Sequence, residues 1–370
     1  MNNYSNEQKA EELLGLRKGI SFVRRLRGGL WEDPGSRAEK LSRLRAEMES
    51  ARAIVVGAGA GLSTAAGLSY SGERFQRYFF DFQERFGIRD MYSGGFYPFP
   101  DQETRWAWWA RHIYFNRYID APKPAYRDLL KLVGGKDYFV ITTNVDHQFQ
   151  RAGFDKQRLF YTQGDYGLFQ DAGGKLRRTW DNEAWVRQAM AAQGFVADEG
   201  GLFRLPEQGR ISMRIPTELI PRCPEGGGPV AMNLRADDSF VEDAGWQAAA
   251  KRYAEFLEAH GRTRLLFLEL GVGGNTPMII KYPFWAMTAE NPQAVYACLN
   301  YDEALCPAEL RDRSICLDGD CGAVLEELAR CPRADSPPGL GASLKPPFPP
   351  EAFPPAPAFR RGRSRPHARR

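Results

Sequence analysis

The stretch RAIVVGAGAGLSTAAG, residues 52–67, sets a short apolar run against a glycine turn and then a segment of small residues. Its first six residues suit a strand buried on both faces, as in a parallel sheet. The glycines let a backbone approach a phosphate, and the helix start that follows offers N–H donors and the positive end of a dipole. The dinucleotide fingerprint G-x-G-x-x-G is not met, because Leu62 or Thr64 stands at the third glycine site. No second strand ending in a ribose-binding acid follows; the sequence there is RYFFDFQERF (77–86). Taken alone, the loop fits a tight strand-to-helix turn as well as a phosphate site.

Working outward, five more runs share the aliphatic and aromatic character of the first: YFVITT (138–143), LFYT (159–162), LLFLEL (265–270), AVYACL (294–299) and SICL (314–317). Each is followed by a polar or glycine-rich loop: NVD, QGDYG, GVGGNTP, NYDE and DGDCG. In open parallel sheets ligands bind beyond the carboxyl ends of the strands, at the point where strand order reverses. The expected fold is therefore α/β, a doubly wound parallel Rossmann-like sheet with one crevice. Ser36 caps an expected helix over SRAEKLSRLRAEMESA (36–51), with Leu41, Leu44 and Met48 on one face. The aromatic stretch 75–130, including WAWWARHIYFNRYI (106–119), predicts a helical insertion; the Gly-rich segment 166–232, with one helix near 181–193, predicts a second. The catalytic domain is expected over 36–331, with small-domain insertions at about 68–125 and 166–232. Residues 1–35 read as a polar, flexible lead and 332–370 as a Pro/Arg-rich disordered tail.

Hydrophobic content of 43% and charged content of 26% are those of an ordinary globular protein. No apolar run is long enough to cross a membrane, and the first residues lack the apolar core of a secretion signal, so a cytoplasmic setting is expected. The net charge of +4 is an effect of the tail, where eight Arg/Lys face Asp335 and Glu351 and leave the body near −2. Nothing else in the sequence points to nucleic acid. The six cysteines, at 223, 298, 306, 316, 321 and 331, have no C-x-x-C spacing and read as small buried hydrophobes.

TTNVD (142–146) places Asn144 and Asp146 just past a strand. An amide beside a carboxylate can hold a carboxamide such as that of nicotinamide; both residues are equally good helix N-caps. In order along the chain, these pieces resemble the sirtuin family from about residue 40 to 330. GAGAGLS is similar to the family's cofactor loop, TTNVD to its T-Q-N-x-D, and GVGGNTP to its G-T-S loop; LNYD and GDC resemble its adenosine-side contacts. The longer strings QGDYGLFQ, IPTELIPRCP, MNLRADDSFVEDAGW and ELGVGGNTPMIIKYPFW resemble the macrodomain-linked class of microbial sirtuins, class M.

The resemblance implies NAD as cofactor. It assigns cofactor contacts to Gly59, Ala60, Gly61, Ser63, Asn144, Asp146, Gln163, Gly271, Asn275, Asn300, Asp320 and Cys321. Tyr70 and Arg74 stand where sirtuins carry a mobile Phe–Arg pair, although GLSYSGERF departs from the usual G-I-P-D-F-R. Gln163 occupies the place of the histidine that serves deacylating sirtuins as general base. An amide orients a hydroxyl but takes no proton near neutrality, and general-base help is worth about 10²–10⁴-fold. Class M members are described as protein ADP-ribosyltransferases, so the glutamine reads as a change of reaction. Catalysis is assigned to Asn144, Gln163 and Arg235. The implied acceptor is a lipoyl-carrying, glycine-cleavage-H-like protein, with a macrodomain hydrolase reversing the mark; deacylation or NAD hydrolysis, and a non-catalytic NAD sensor, are the competing readings. Sirtuins hold a structural zinc with two C-x-x-C pairs. Here Gly226 stands where the partner of Cys223 belongs, and 171–180 has no cysteine, so no metal is expected. His112, His147 and His260 read as ordinary helix or surface positions.

Overall fold

The computed structural model describes residues 15–274 and 277–330. Six strands form the central sheet: β1 (Ala53–Ala58), β2 (Asp137–Thr142), β3 (Leu159–Tyr161), β4 (Leu265–Leu270), β5 (Val295–Asn300) and β6 (Ser314–Asp318). They run parallel in the spatial order β6-β5-β4-β1-β2-β3. This is the Rossmann-like α/β arrangement, with the reversal of strand order lying between β1 and β4. All six residues of β1 and all six of β4 are buried, and the one charged member, Glu269, is paired with Lys281 at 2.6 Å.

Side chains alternate between two cores. Ile54, Val56, Val140, Leu266, Leu268 and Leu299 face helices Arg37–Ser50, Ala125–Val133 and Cys321–Arg330. Val55, Phe139, Ile141, Phe267, Tyr296 and Cys298 face helices Ala244–His260 and Lys281–Glu290. The first of these helices begins as expected. Ser36 accepts from the Glu39 N–H and Glu39 answers to the Ser36 backbone, a reciprocal cap, while Leu41, Leu44 and Met48 are buried.

Residues 15–35 depart from the flexible lead expected of them. Helix Leu16–Val23 packs on Lys281–Glu290 so closely that a methyl group on Gly19 would lie 2.8 Å from the Pro283 nitrogen. Strand Leu30–Glu32 pairs antiparallel with Leu305–Pro307. Leu16, Phe22, Val23 and Trp31 supply the apolar surface that fixes them. The expected tail and residues 1–14 lie outside the described residues.

The two insertions share one core. Helices Glu73–Phe86, Gln102–Arg117 and Glu183–Ala192 pack with a three-stranded antiparallel sheet of Thr179–Asp181, Gly164–Asp171 and Val230–Leu234. Trp108 sits centrally, in ring contact with Phe75, Phe79, Phe82 and Phe99. Arg111 is fully buried and uses its whole fork. It donates to Asp81 at 2.7 and 2.8 Å, to Gln193 Oε1 at 2.7 Å, and to the carbonyls of Tyr78 and Ser212. One guanidinium thereby ties two helices of the first insertion to Gln193 and Ser212 of the second.

Candidate functional site

At the switch point the loops after β1 and β4 lie against each other. Gly59 N–H donates to Leu270 O and Gly61 N–H to Gly271 O, at 3.0 and 2.9 Å. A Cβ on Gly61 would meet Gly271 Cα at 2.6 Å, and one on Gly271, whose φ is +60°, would meet Gly61 Cα at 2.5 Å. The glycines are therefore required by loop-on-loop packing, and two N–H groups expected to face a phosphate are already bonded. Ala60, exposed at the lip, is the residue of this turn whose N–H has no partner among the described residues. Asn300 Nδ2 supports the facing loop by donating to Val272 O at 2.9 Å, and Cys321 Sγ lies 3.7 Å from Gly61 O. Asp320 caps its own helix through the Ala323 N–H. Asn275 lies outside the described residues.

Beyond β2 the residues of TTNVD form a buried network. Thr142 Oγ1 donates to Ala58 O and accepts from the Asn144 N–H. Asn144 Nδ2 donates to Gly59 O at 3.0 Å and to Tyr126 Oη at 3.3 Å, which leaves Oδ1 as the amide's open acceptor. Ser63 Oγ lies 2.5 Å from Asp146 Oδ2 and 2.9 Å from Tyr126 Oη, and Gln148 N–H reaches Asp146 Oδ1 at 3.2 Å. Burial lifts the Asp146 carboxyl above its ordinary value, although Ser63 and Gln148 pull the other way. Ser63, Asn144 and Asp146 thus meet as expected, and Tyr126 joins them.

Gln163 and Arg235 are brought together by the antiparallel pairing of Gly164 with Leu234. The Arg235 N–H donates to Gln163 O at 3.0 Å. The Gln163 side chain is half-buried and has no hydrogen bond among the described residues. Arg235 lies over the rings of Phe240 (4.4 Å) and Trp246 (5.5 Å) and pairs with Glu242 at 2.5 Å. The stacking and the ion pair hold this guanidinium in place, although Arg235 remains exposed to solvent.

Two residues beyond Gln163, Asp165 is buried and accepts from Arg117 Nε at 2.5 Å, His147 Nδ1 at 2.7 Å and the Gly167 N–H at 2.7 Å. Burial alone would raise this carboxyl; the His147 hydrogen bond and the Arg117 charge outweigh it and hold it at about 2. Thr142, Asn144, Asp146, His147, Gly164 and Asp165 line one small cleft at the carboxyl ends of β2 and β3. A roomier groove of about 650 Å³ runs past Leu265 at the amino end of β4. Open α/β sheets place ligands at the opposite end, and the cleft is where the polar groups converge.

No family model matches the chain. It is 36% identical over 289 residues to a protein ADP-ribosyltransferase of Staphylococcus aureus, an alignment that takes in 78% of this chain and 86% of that one. The chain belongs to the protein ADP-ribosyltransferases. It is also 30% identical over 300 residues to a probable bifunctional ADP-ribose hydrolase/ADP-ribosyltransferase of Fusarium oxysporum, covering 77% of this chain and 47% of the fungal protein, about half its length. Among solved structures it is similar to a Sir2 homologue in complex with NAD (16% identity, TM-score 0.47, 78% of this chain and 92% of that one). A second, described as a structural basis for sirtuin substrate affinity, gives 16% identity and a TM-score of 0.48 over 78% of this chain and 96% of that one.

Several residues of this protein stand differently from expectation. The Tyr70 hydroxyl lies 2.7 Å from that of Tyr166, and burial pushes it up to about 12. Arg74 donates to Ser69 O, Phe115 O and Asn116 Oδ1, so both polar ends are spent inside the insertion. Cys223 is buried, and its turn is closed by backbone bonds to Gly227 and Gly228. Arg178 pairs with Glu225 across the region where sirtuins place their cysteine pairs. Among the described residues no three metal-ligating side chains converge. His112 is buried, unpartnered at both nitrogens and held near 3 by that burial, and His260 pairs with Asp137. His147 does not fit the ordinary reading. Its backbone is left-handed, with φ +63°, and its ring is bonded to Asp165.

Proposed function

We propose that the protein transfers ADP-ribose from NAD to a protein acceptor with release of nicotinamide. The observation that carries this is the register that joins Gln163 to Arg235 backbone to backbone. It sets an amide with no partner among the described residues beside a stacked, paired cation, with no titratable group at the Gln163 position. The staphylococcal relative, a protein ADP-ribosyltransferase by name, supports the same reading.

The residues fit an NAD molecule on one structural ground. The site's open polar atoms, Asn144 Oδ1, the Gln163 amide and the Ala60 N–H, lie on the loops that follow β1 to β3, while the groups beneath them are bonded to one another. NAD supplies a C1′–nicotinamide bond that breaks with the electron pair going to the departing base. Asn144 Oδ1 accepts from the carboxamide, with Asp146 beside it. Ser63 and Tyr126 keep both side chains from turning. Gln163 orients a ribose hydroxyl without removing its proton. Arg235 positions the acceptor or the diphosphate.

The proposed acceptor is a lipoylated, glycine-cleavage-H-like protein. A macrodomain hydrolase that removes the mark is the proposed functional partner, and the setting is cytoplasmic; among the described residues no helix is long and apolar enough to cross a membrane. Incubation of the protein with NAD labelled in its adenylate and with the lipoylated H-like protein tests this. Label should become acid-precipitable on the acceptor, and Gln163→Ala and Arg235→Ala should each abolish it. Label recovered only as free ADP-ribose would refute transfer.

A further inference from the structure

We propose that Glu303 is a positioning residue for NAD: its carboxylate holds the glycine loop after β4 in the shape that receives the dinucleotide. This rests on the reading that places Gly271 and Asn275 against the cofactor. The loop after β5 is joined to the loop after β4 at three successive points. Gly271 N–H donates to Leu299 O at 2.9 Å, Asn300 Nδ2 to Val272 O at 2.9 Å, and Gly274 N–H to Glu303 Oε2 at 2.8 Å. The first two ties join buried residues where the loops leave the sheet. The third joins an exposed side chain to an exposed glycine, so it fixes the outer rim of the loop and not its root. A Cβ on Gly274 would meet the Glu303 carboxylate first, with Oε1 at 3.3 Å. The glycine loop and this one side chain are shaped to each other.

The segment that presents Glu303 is itself held. Asp302 turns the chain back with φ +59°, a left-handed conformation that aspartate enters more readily than most residues. Its N–H donates to Asp318 Oδ1 at 2.8 Å, and the Tyr301 N–H donates to Asn300 Oδ1 at 2.9 Å. On the other side, Leu305 N–H donates to Glu303 O at 3.0 Å. The root of the glycine loop is closed from below, where Lys281 at the start of the next helix donates to Glu269 Oε1 at 2.6 Å, both side chains buried. Between these fixed points Gly273 and Gly274 have no side chains to brace them, and glycine has the most conformational freedom to lose on ordering. A charge-assisted hydrogen bond to the Gly274 N–H removes part of that freedom before NAD arrives, which lowers the ordering cost of binding.

The test compares Glu303→Ala with Glu303→Gln, whose amide oxygen accepts the same N–H. NAD affinity is measured by calorimetry with no acceptor present, and nicotinamide release against NAD concentration gives KM and kcat. Glu303→Ala should melt within about 2 °C of wild type, because the bond joins two exposed residues. Its Kd and KM for NAD should rise about tenfold. Its kcat at saturating NAD should stay within about threefold, since the order of the loop bears on binding and not on the bond that breaks. Glu303→Gln should lie within about threefold of wild type throughout. An unchanged Kd in Glu303→Ala overturns the assignment, and so does tighter binding, which would make the carboxylate an obstacle to NAD. A Glu303→Gln protein as weak as Glu303→Ala overturns it too, as does a melting temperature lowered by more than about 10 °C, because the bond then holds the fold. Asn275→Ala checks the reading beneath. If that variant binds NAD as wild type does, the loop does not meet the cofactor and both are overturned.

Discussion

Asn144→Ala separates what this side chain does for the fold from what it does for the reaction. Its Nδ2 makes two hydrogen bonds, to Gly59 O and Tyr126 Oη. Neither partner is orphaned by truncation, because Gly59 O also accepts from the Leu62 N–H at 3.1 Å and Tyr126 Oη keeps Ser63 Oγ at 2.9 Å. The stability cost therefore falls at the low end for a buried hydrogen bond, about 1 kcal/mol. For a domain of this size that is a fall of about 2–4 °C in melting temperature. The catalytic cost is larger, because Oδ1 is the open acceptor of a preorganised group. Removing one such group costs about 10²–10³-fold in rate. The assay pairs a thermal melt with single-turnover nicotinamide release on the same preparation. Transfer within threefold of wild type in a well-folded Asn144→Ala protein would show that the nicotinamide end has been misplaced. A fall of more than about 10 °C would show instead that the network beneath the loop holds the fold.

Arg111→Met should destabilise by about 3–5 kcal/mol, because it strands Asp81, 12% exposed, without its cation; a melt within 2 °C of wild type would refute the role given to that fork. Gln163→His should lower protein transfer and gain no deacylation of acyl-lysine peptides, since the position is framed by Arg235 and its Phe240–Trp246 shelf; robust deacylation by the single variant would contradict this. Purified protein should contain well under one zinc per chain by elemental analysis, and chelators should leave the melt unmoved; stoichiometric zinc would contradict the absence of a ligand set around Cys223 among the described residues.

The central sheet was legible because each strand is a self-contained aliphatic run, and the six runs match β1 to β6 within about a residue at their starts. The loops that follow them could be read for the same reason. The sheet of the insertions was not. Gly164–Asp171 carries Asp165, Gly167 and Gln170 among its apolar residues, and it acquires sense only from pairing with Val230–Leu234. Residues 15–35 misled because Leu16, Phe22, Val23 and Trp31 are scattered among basic residues and glycines, and their partners lie near the other end of the chain. The glycines of GAGAG were read as room for a phosphate, whereas their Cα atoms also have to pass Gly271. Tyr126 sits in a helix start with no motif around it. His147 looked ordinary because the carboxylate that aligns it is 18 residues away, in a different element. Periodicity registers what a residue does within its own element, and it is silent on a contact made across two of them.

The most direct measurement is the stoichiometry of one turnover with NAD and the lipoylated H-like protein: moles of nicotinamide released against moles of ADP-ribose covalently bound to protein. Equality is expected at wild type, and both should disappear in Asn144→Ala. Nicotinamide released with no ADP-ribose on protein, matched instead by free or acylated ADP-ribose, would contradict it.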